Sequence, residues 1–168
     1  MENDLRRKHP RTAPGTLREM ARAYLVQSTQ DLSQARALLK EDNPIHSAFF
    51  SVQAGVNALT AICLAAGRPQ VQGPTPAKLF QLSMEINPEQ FSSLKSDCEV
   101  LEQASAIDPF RPGESQPRQI SQPQDLIASA ENILRVAHRS PDLPLPKTWV
   151  QRFRRWAGIS KEKSQGRK

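Results

Sequence analysis

The residues best suited to bind a ligand lie near the carboxyl end of the sequence. Trp149, Phe153 and Trp156 recur at i, i+4 and i+7, so a helix there would carry one aromatic face. The intervening and following cations are Arg152, Arg154, Arg155, Lys161 and Lys163. Aromatic rings stack on bases or enter a membrane interface, while such cations engage phosphates. This segment is predicted either to contact nucleic acid or an anionic membrane, or to dock its aromatic residues back onto the rest of the chain.

A second candidate is a polar stripe inside an apolar segment. The nineteen residues from Ala48 to Ala66 contain no charged side chain, yet Gln53, Asn57 and Thr60 lie within them at helical spacing. These three side chains would line a small polar pocket or a contact between two copies of the chain. Alternatively, they form a polar seam whose hydrogen bonds are satisfied by neighbouring helices, which is the usual situation of buried amides.

Patterns typical of enzymes and metal sites are missing from the sequence. The three histidines, His9, His46 and His138, are far apart, and neither Cys-x-x-Cys nor a glycine-rich phosphate loop occurs. We therefore predict no catalytic residue, no cofactor, no metal ligand and no identifiable small-molecule ligand. His46 is expected at the surface, and His138 is expected to favour the carbonyl end of a helix dipole. Cys63 and Cys98 are interpreted as inert buried thiols.

Charge is distributed unevenly along the 168 residues. Residues 147–168 carry a net charge of +7 and residues 1–22 carry +3, whereas residues 23–146 carry −4. Attraction to nucleic acid or anionic lipid is therefore expected from the ends of the chain. With 38% hydrophobic residues and two cysteines, the composition excludes a collagen, a porin and a disulfide scaffold, and it predicts a single cytoplasmic domain.

Proline positions divide the chain into predicted helices. Five proline-free intervals are long enough for helices, namely residues 15–43, 45–68, 77–87, 89–108 and 124–140. Capping side chains precede prolines at Asn43-Pro44, Thr75-Pro76 and Asn87-Pro88, and less clearly at Ser121 and Pro123. Such pairs begin helices because proline at the first helical position loses no hydrogen bond. The sequence thus predicts an all-α, up-and-down bundle of about five helices.

Further signals set the ends of the first two helices and the environment of the second. Thr16 and Glu19 form a capping box, and Gly67 supplies a left-handed stop. The apolar second helix has the length of a membrane span. Its polar stripe instead favours a central bundle helix covered on most sides by its neighbours.

Four segments are predicted from these boundaries. Residues 1–15 form a flexible basic arm, and residues 16–140 form the helical bundle, interrupted by a long connection over residues 107–122. Residues 141–146 form a proline-rich spacer, and residues 147–168 form a flexible basic aromatic tail.

Two helical patterns resemble those of HEPN domains, which are small helical bundles often associated with RNA or nucleotides. The patterns are Asp31-Leu32-x-x-Ala35-x-x-Leu38-Leu39 and Ala48-Phe49-Phe50-x-x-Gln53-Ala54-Gly55-x-x-Ala58-Leu59-x-Ala61, followed by Gly67 and a helix with Leu79 and Leu82. The resemblance covers about residues 17–139. It implies a HEPN-like bundle that pairs with a second copy or with a partner protein such as a nucleotidyltransferase.

The chain departs from the ribonuclease members of that family. They carry an arginine, four to six further residues and then a histidine, whereas none of the three histidines here follows an arginine at that spacing. We therefore expect a non-catalytic interaction module that dimerises or binds a partner protein. The alternatives are an RNA-acting enzyme with an atypical site, or an adaptor brought to nucleic acid or membrane by its basic tail.

Overall fold

The computed structural model describes residues 14–110 and 122–140, which form a helical bundle with no β-strand among them. Its helices are α1 (Pro14–Lys40), α2 (Pro44–Ala65), α3 (Pro76–Ile86), α4 (Pro88–Phe91), α5 (Lys95–Ala104) and α6 (Pro123–Arg139). A 3₁₀ turn, Ser92–Leu94, joins α4 to α5. The all-α prediction is confirmed. The spacer, the tail and most of the predicted N-terminal arm lie outside the described residues.

Proline and a capping side chain begin most of the helices, as predicted. Proline is the first residue of α1, α2, α3, α4 and α6. The side chains of Asn43, Thr75 and Asn87 accept hydrogen bonds from backbone N–H groups in the first turns of α2, α3 and α4. The expected capping box is wrong, because α1 begins at Pro14 and Thr16 therefore lies inside its first turn. Before α6, the cap position is Gln122, without a side-chain cap hydrogen bond.

The fourth predicted helix is divided in the structure. Its interval holds α4, the 3₁₀ turn and α5, and the helix ends at Ala104 rather than near residue 108. In a 3₁₀ turn, residues three apart lie on the same side. Phe91 and Leu94 consequently both point into the core, with 1% and 0% of their surface exposed. Hydrophobic spacing along the interval did not predict this division.

Helix α2 occupies the centre of the bundle. It packs against α1, α3, α5 and α6, and fourteen of its twenty-two residues are buried. By length and composition alone it could cross a membrane, but 72% of its apolar window is buried inside the protein. Because neighbouring helices cover that surface, α2 is the central bundle helix that the polar stripe predicted.

Two residues with a left-handed backbone conformation turn the chain after α1 and after α2. Gly67, with φ +79°, follows α2 as predicted. There the N–H of Arg68 donates to the Cys63 carbonyl and that of Gly67 to the Leu64 carbonyl, the hydrogen bonds of a Schellman motif. Asp42 has φ +56° after α1, and the N–H of Asn43 donates to the Leu38 carbonyl in the same way. This second turn was not anticipated from the sequence because its left-handed residue is not glycine.

Replacing Asp42 with glycine is expected to stabilise the protein. A side chain at positive φ is strained, so Asp42→Gly should raise the free energy of unfolding by about 0.5 kcal/mol. Urea denaturation followed by circular dichroism measures the change. Asp42→Ala is the matched control, because it retains a Cβ atom and should give no gain. A lower stability of the glycine variant would show that the aspartate side chain itself stabilises the turn.

Candidate interaction surface

A buried polar contact joins α1 to α2. The carboxylate of Asp31 accepts hydrogen bonds from Gln27 Nε2 at 2.8 Å and from Asn57 Nδ2 at 2.7 Å. One turn earlier in α1, the hydroxyl of Ser28 donates to the Ala54 carbonyl at 2.7 Å. Asp31 is 6% exposed and Ser28 is fully buried. These bonds set how α1 lies along α2, because each buried polar group requires its partner.

The polar stripe of α2 does not converge on a pocket. Asn57 reaches across to Asp31 of α1, whereas Thr60 Oγ1 donates to the Val56 carbonyl of its own helix at 2.8 Å. Gln53 is half-buried and makes no side-chain hydrogen bond within the described part of the chain. The stripe thus contributes one contact between helices and one within α2.

The electrostatics of Asp31 follow from its position between α1 and α2. Burial raises the pKa of the Asp31 carboxyl, while the two amide donors act in the opposite direction. In the sequence, Ser28 and Asp31 are polar residues that interrupt the apolar face of the first helix. Two polar residues three apart at core positions were the available signal for a polar contact between helices.

Longer-range polar contacts join α1, α3, α5 and α6 to one another. Arg36 of α1 forms an ion pair with Glu131 of α6. Asn132 Nδ2 of α6 donates to Asp97 Oδ2 of α5 at 2.6 Å. The backbone N–H of Ala77, in the first turn of α3, donates to Glu102 of α5 at 2.8 Å. Helices α1, α3, α5 and α6 are therefore each held by at least one polar contact as well as by the core.

The cysteines have the properties expected of inert core residues. Cys63 and Cys98 are free and each is 2% exposed. Burial raises the pKa of both thiols, and for Cys98, where Asp97, Glu102 and Glu99 add to it, the value is about 12. The reactive thiolate is accordingly scarce at neutral pH. Within residues 14–110 and 122–140, no group of three or more His, Cys, Asp or Glu side chains could hold a metal ion.

The two described histidines differ from expectation. His46 is half-buried rather than at the surface, and its Nδ1 lies 2.9 Å from Asn43 Oδ1. Burial lowers the pKa of His138 to about 4. His138 is therefore neutral at pH 7 and does not act as a cation at the carbonyl end of α6. Desolvation at this position outweighs the helix dipole, which is worth about 1 kcal/mol or less at an exposed site.

His138 should make the protein sensitive to acid. Because its pKa is about 4 in the folded protein against 6.5 for the model value, the unfolded chain binds the proton more tightly. Neutral His138 therefore contributes fully to the free energy of unfolding above pH 6.5. As the pH falls toward 4, the free energy of unfolding decreases by up to about 3 kcal/mol. Urea midpoints of wild type and His138→Gln between pH 7 and pH 4 test this. The stability of the variant relative to wild type should rise as the pH falls, and a constant difference would contradict the assignment.

An aromatic surface lies at the start of α2. Phe110, in the connection after α5, packs edge-to-face on His46 and on Phe49, with ring centroids 5.8 Å apart in both pairs. Phe49 also meets Phe50 edge-to-face at 5.4 Å. We call these four residues, His46, Phe49, Phe50 and Phe110, the α2 aromatic patch. Phe110 is 69% exposed, and it is the one exposed large hydrophobic side chain in the described ranges.

This patch is the feature most suited to an interaction. Aromatic residues are enriched in protein interfaces, since they bury a large area and lose little conformational freedom. The sequence analysis did not identify the patch, because Phe110 lies in a connection and meets α2 through tertiary contacts. The adjacent aromatic pair in the second helix was the available signal.

The residues predicted to bind a ligand belong to the tail, residues 147–168. Its eight candidate residues, Trp149 to Lys163, lie outside the described residues, and their role remains a prediction. The family models, the curated proteins and the solved structures contain no match to this chain. Its function is therefore inferred from its own residues and contacts.

Proposed function

We propose that this protein is a non-catalytic helical interaction module, HEPN-like in fold, whose body binds another protein surface through the α2 aromatic patch. The observation that carries the proposal is the exposure of Phe110 on top of the half-buried rings of His46 and Phe49. Rings exposed in this way are typical of the apolar centre of an interface.

A second copy of the chain is the partner that we favour. A surface that pairs with itself across a twofold axis brings identical side chains together. Edge-to-face packing suits such pairing, because every ring offers both an electron-rich face and a positive edge. The patch already contains three such ring pairs, so further rings would extend a packing mode that the protein uses.

The HEPN-like assignment is supported by the order of the helices and by the residues that carry the resemblance. The charge-free α2 is central, and it is followed by Gly67 in the left-handed conformation and then by a helix containing Leu79 and Leu82. Asp31, the first residue of the α1 pattern, is the residue that bonds Asn57 of α2. The two quoted patterns therefore lie on α1 and α2, which pack against each other.

Light scattering over a concentration series tests the interaction. We expect the full chain to form dimers at high concentration and Phe110→Ala to weaken this association. Phe110 is exposed, so its loss should leave the urea midpoint nearly unchanged. Phe80→Ala on α3, a half-buried phenylalanine outside the patch, is the matched control and should associate like wild type. The proposal would be contradicted if wild-type protein and a full chain with Trp149, Phe153 and Trp156 replaced by alanine were both strictly monomeric and neither recovered a partner protein.

RNA cleavage distinguishes this proposal from the enzymatic alternative. We expect no cleavage above background, because His138 is neutral and half-buried and His46 contacts the rings of the patch. Cleavage that is lost on His46→Ala or His138→Ala would instead indicate an RNA-acting enzyme. Activity that survives both substitutions would indicate a contaminating nuclease.

A further inference from the structure

We propose that, in the absence of a partner, the α2 aromatic patch binds the aromatic residues of this chain's own tail, Trp149, Phe153 and Trp156. The inference rests on the proposed function in one respect, which is that the patch is a binding surface. It goes further by naming an occupant within the same molecule. Three independent observations support it, concerning ring chemistry, charge and chain length.

The first observation is the match of ring chemistry. The patch presents Phe110 at 69% exposure beside the half-buried Phe49 and Phe50. The tail carries the chain's two tryptophans and one of its six phenylalanines. If the segment is helical, their spacing would place all three on one face. Aromatic rings favour edge-to-face and offset packing on one another, so the three rings of the tail match the packing mode already present in the patch.

Charge is the second observation. Glu41 and Asp42 are exposed in the turn that leads directly into α2, next to Asn43, whose side chain contacts His46 of the patch. Residues 147–168 carry +7, whereas residues 23–146 carry −4. Arg152, Arg154 and Arg155 lie among the tail aromatics. A segment that places its rings on the patch thus brings cations toward these carboxylates.

The third observation is the length of chain available. Eight residues, 141–148, lie between Ser140, just after α6, and Trp149. Three of the first six positions after Ser140 are prolines, a composition that favours an extended form. The nine Cα-to-Cα steps from Ser140 to Trp149 would then span about 28 Å. Helix α2, on which α6 packs, has 22 residues and is about 33 Å long. The tail can therefore reach most of the length of α2.

Occupation of the patch by the tail would control the access of other molecules to the patch and to the tail. While the rings of the tail cover the patch, neither is available to another molecule. An anionic ligand that draws the cations away would uncover the patch and favour pairing of two bodies. Self-association and anion binding are therefore coupled, with the same sign in both directions.

Tryptophan fluorescence of the full-length protein tests the inference, because both tryptophans lie in the tail and the body has none. We expect wild-type emission to be blue-shifted and protected from iodide quenching relative to the urea-unfolded protein. Phe110→Ala should shift the emission to longer wavelength and increase quenching. Glu41→Lys should act in the same direction, since it replaces an attractive charge with a repulsive one. Phe80→Ala is the control and should leave both signals unchanged.

Three results would overturn the inference. They are emission equal to that of the unfolded protein, a blue shift that Phe110→Ala leaves unchanged, and a blue shift lost on dilution in step with the molecular mass. The last would identify the tail of a second copy as the occupant.

A separate variant keeps this test distinct from that of the proposed function. The full chain carrying Trp149→Ala, Phe153→Ala and Trp156→Ala has an uncovered patch. It should associate more strongly than wild type by light scattering. If it remains monomeric, the proposed function fails even where the wild-type fluorescence supports docking of the tail.

Discussion

Gly55→Val is expected to lower the free energy of unfolding by about 3 kcal/mol, through overpacking of the bundle core. A Cβ atom at Gly55 would overlap Leu101 Cδ1 of α5, and it would lie 3.7 Å from Ile133 Cδ1 of α6. Leu101 and Ile133 are both fully buried, so neither side chain has free space into which it could move. The absence of a side chain at residue 55 thus allows α5 and α6 to approach α2 closely.

Urea denaturation followed by circular dichroism measures this loss. Gly55→Ala should cost about 1 kcal/mol, because its higher helix propensity, worth about 1 kcal/mol, offsets part of the clash. Gly15→Ala in α1 is the matched control, since its Cβ atom would meet nothing within 4 Å, and it should not destabilise the protein.

A double substitution identifies the clash itself. Leu101→Ala removes the overlapping methyl group, so combining it with Gly55→Ala should cost about 1 kcal/mol less than the sum of the two single changes. Strictly additive costs would show that Leu101 does not restrict residue 55. A wild-type stability of Gly55→Val would refute the predicted close approach.

Deletion of residues 147–168 is expected to abolish salt-dependent binding to single-stranded RNA and anionic vesicles while leaving the helical body folded. The segment carries a net charge of +7, more than the +6 of the whole chain. If its five candidate cations all contact phosphates of single-stranded RNA, the logarithm of the affinity should fall with the logarithm of salt concentration with a slope of about −3.5. Binding and salt titrations on both proteins measure the effect, and circular dichroism checks the fold.

Two full-length variants separate the contributions of charge and aromatic residues. Replacing the five cations with glutamine should remove both the binding and its salt dependence. Replacing the three aromatic residues with alanine should weaken binding while preserving the salt slope, because stacking does not release counterions. Equal binding by the truncated and full-length proteins would refute the role of the tail.

The starts of α2, α3 and α4 were predictable because each depends on neighbouring residues. Asn43, Thr75 and Asn87 cap their helices as expected, since a capping side chain reaches N–H groups only two or three residues away. Gly67 ends α2 for a similarly local reason. Local rules were less accurate at Thr16, where the helix begins two residues earlier at Pro14.

The central position of α2 was also predictable, whereas the residues of the candidate surface were not. A charge-free helix with a single polar stripe must be covered by its neighbours in water, and this inference requires no knowledge of which neighbours cover it. The patch, by contrast, depends on the position of Phe110, which lies in a connection. Hydrophobic periodicity does not predict the position of a residue outside a helix. The tail residues were named from sequence, and they lie outside the described residues.

The amino-acid sequence by itself determined the all-α class, the proline-bounded helix starts, the central apolar helix and the separation of an acidic body from a basic tail. Each depends on composition or on residues within about one helical turn. Tertiary structure alone decided that Asp31 accepts a hydrogen bond from Asn57 and that Leu101 packs closely against Gly55. It also decided that Phe110 packs on Phe49 in the aromatic patch. These contacts join residues 26 to 61 positions apart, where the approach of two surfaces depends on the packing of every intervening helix.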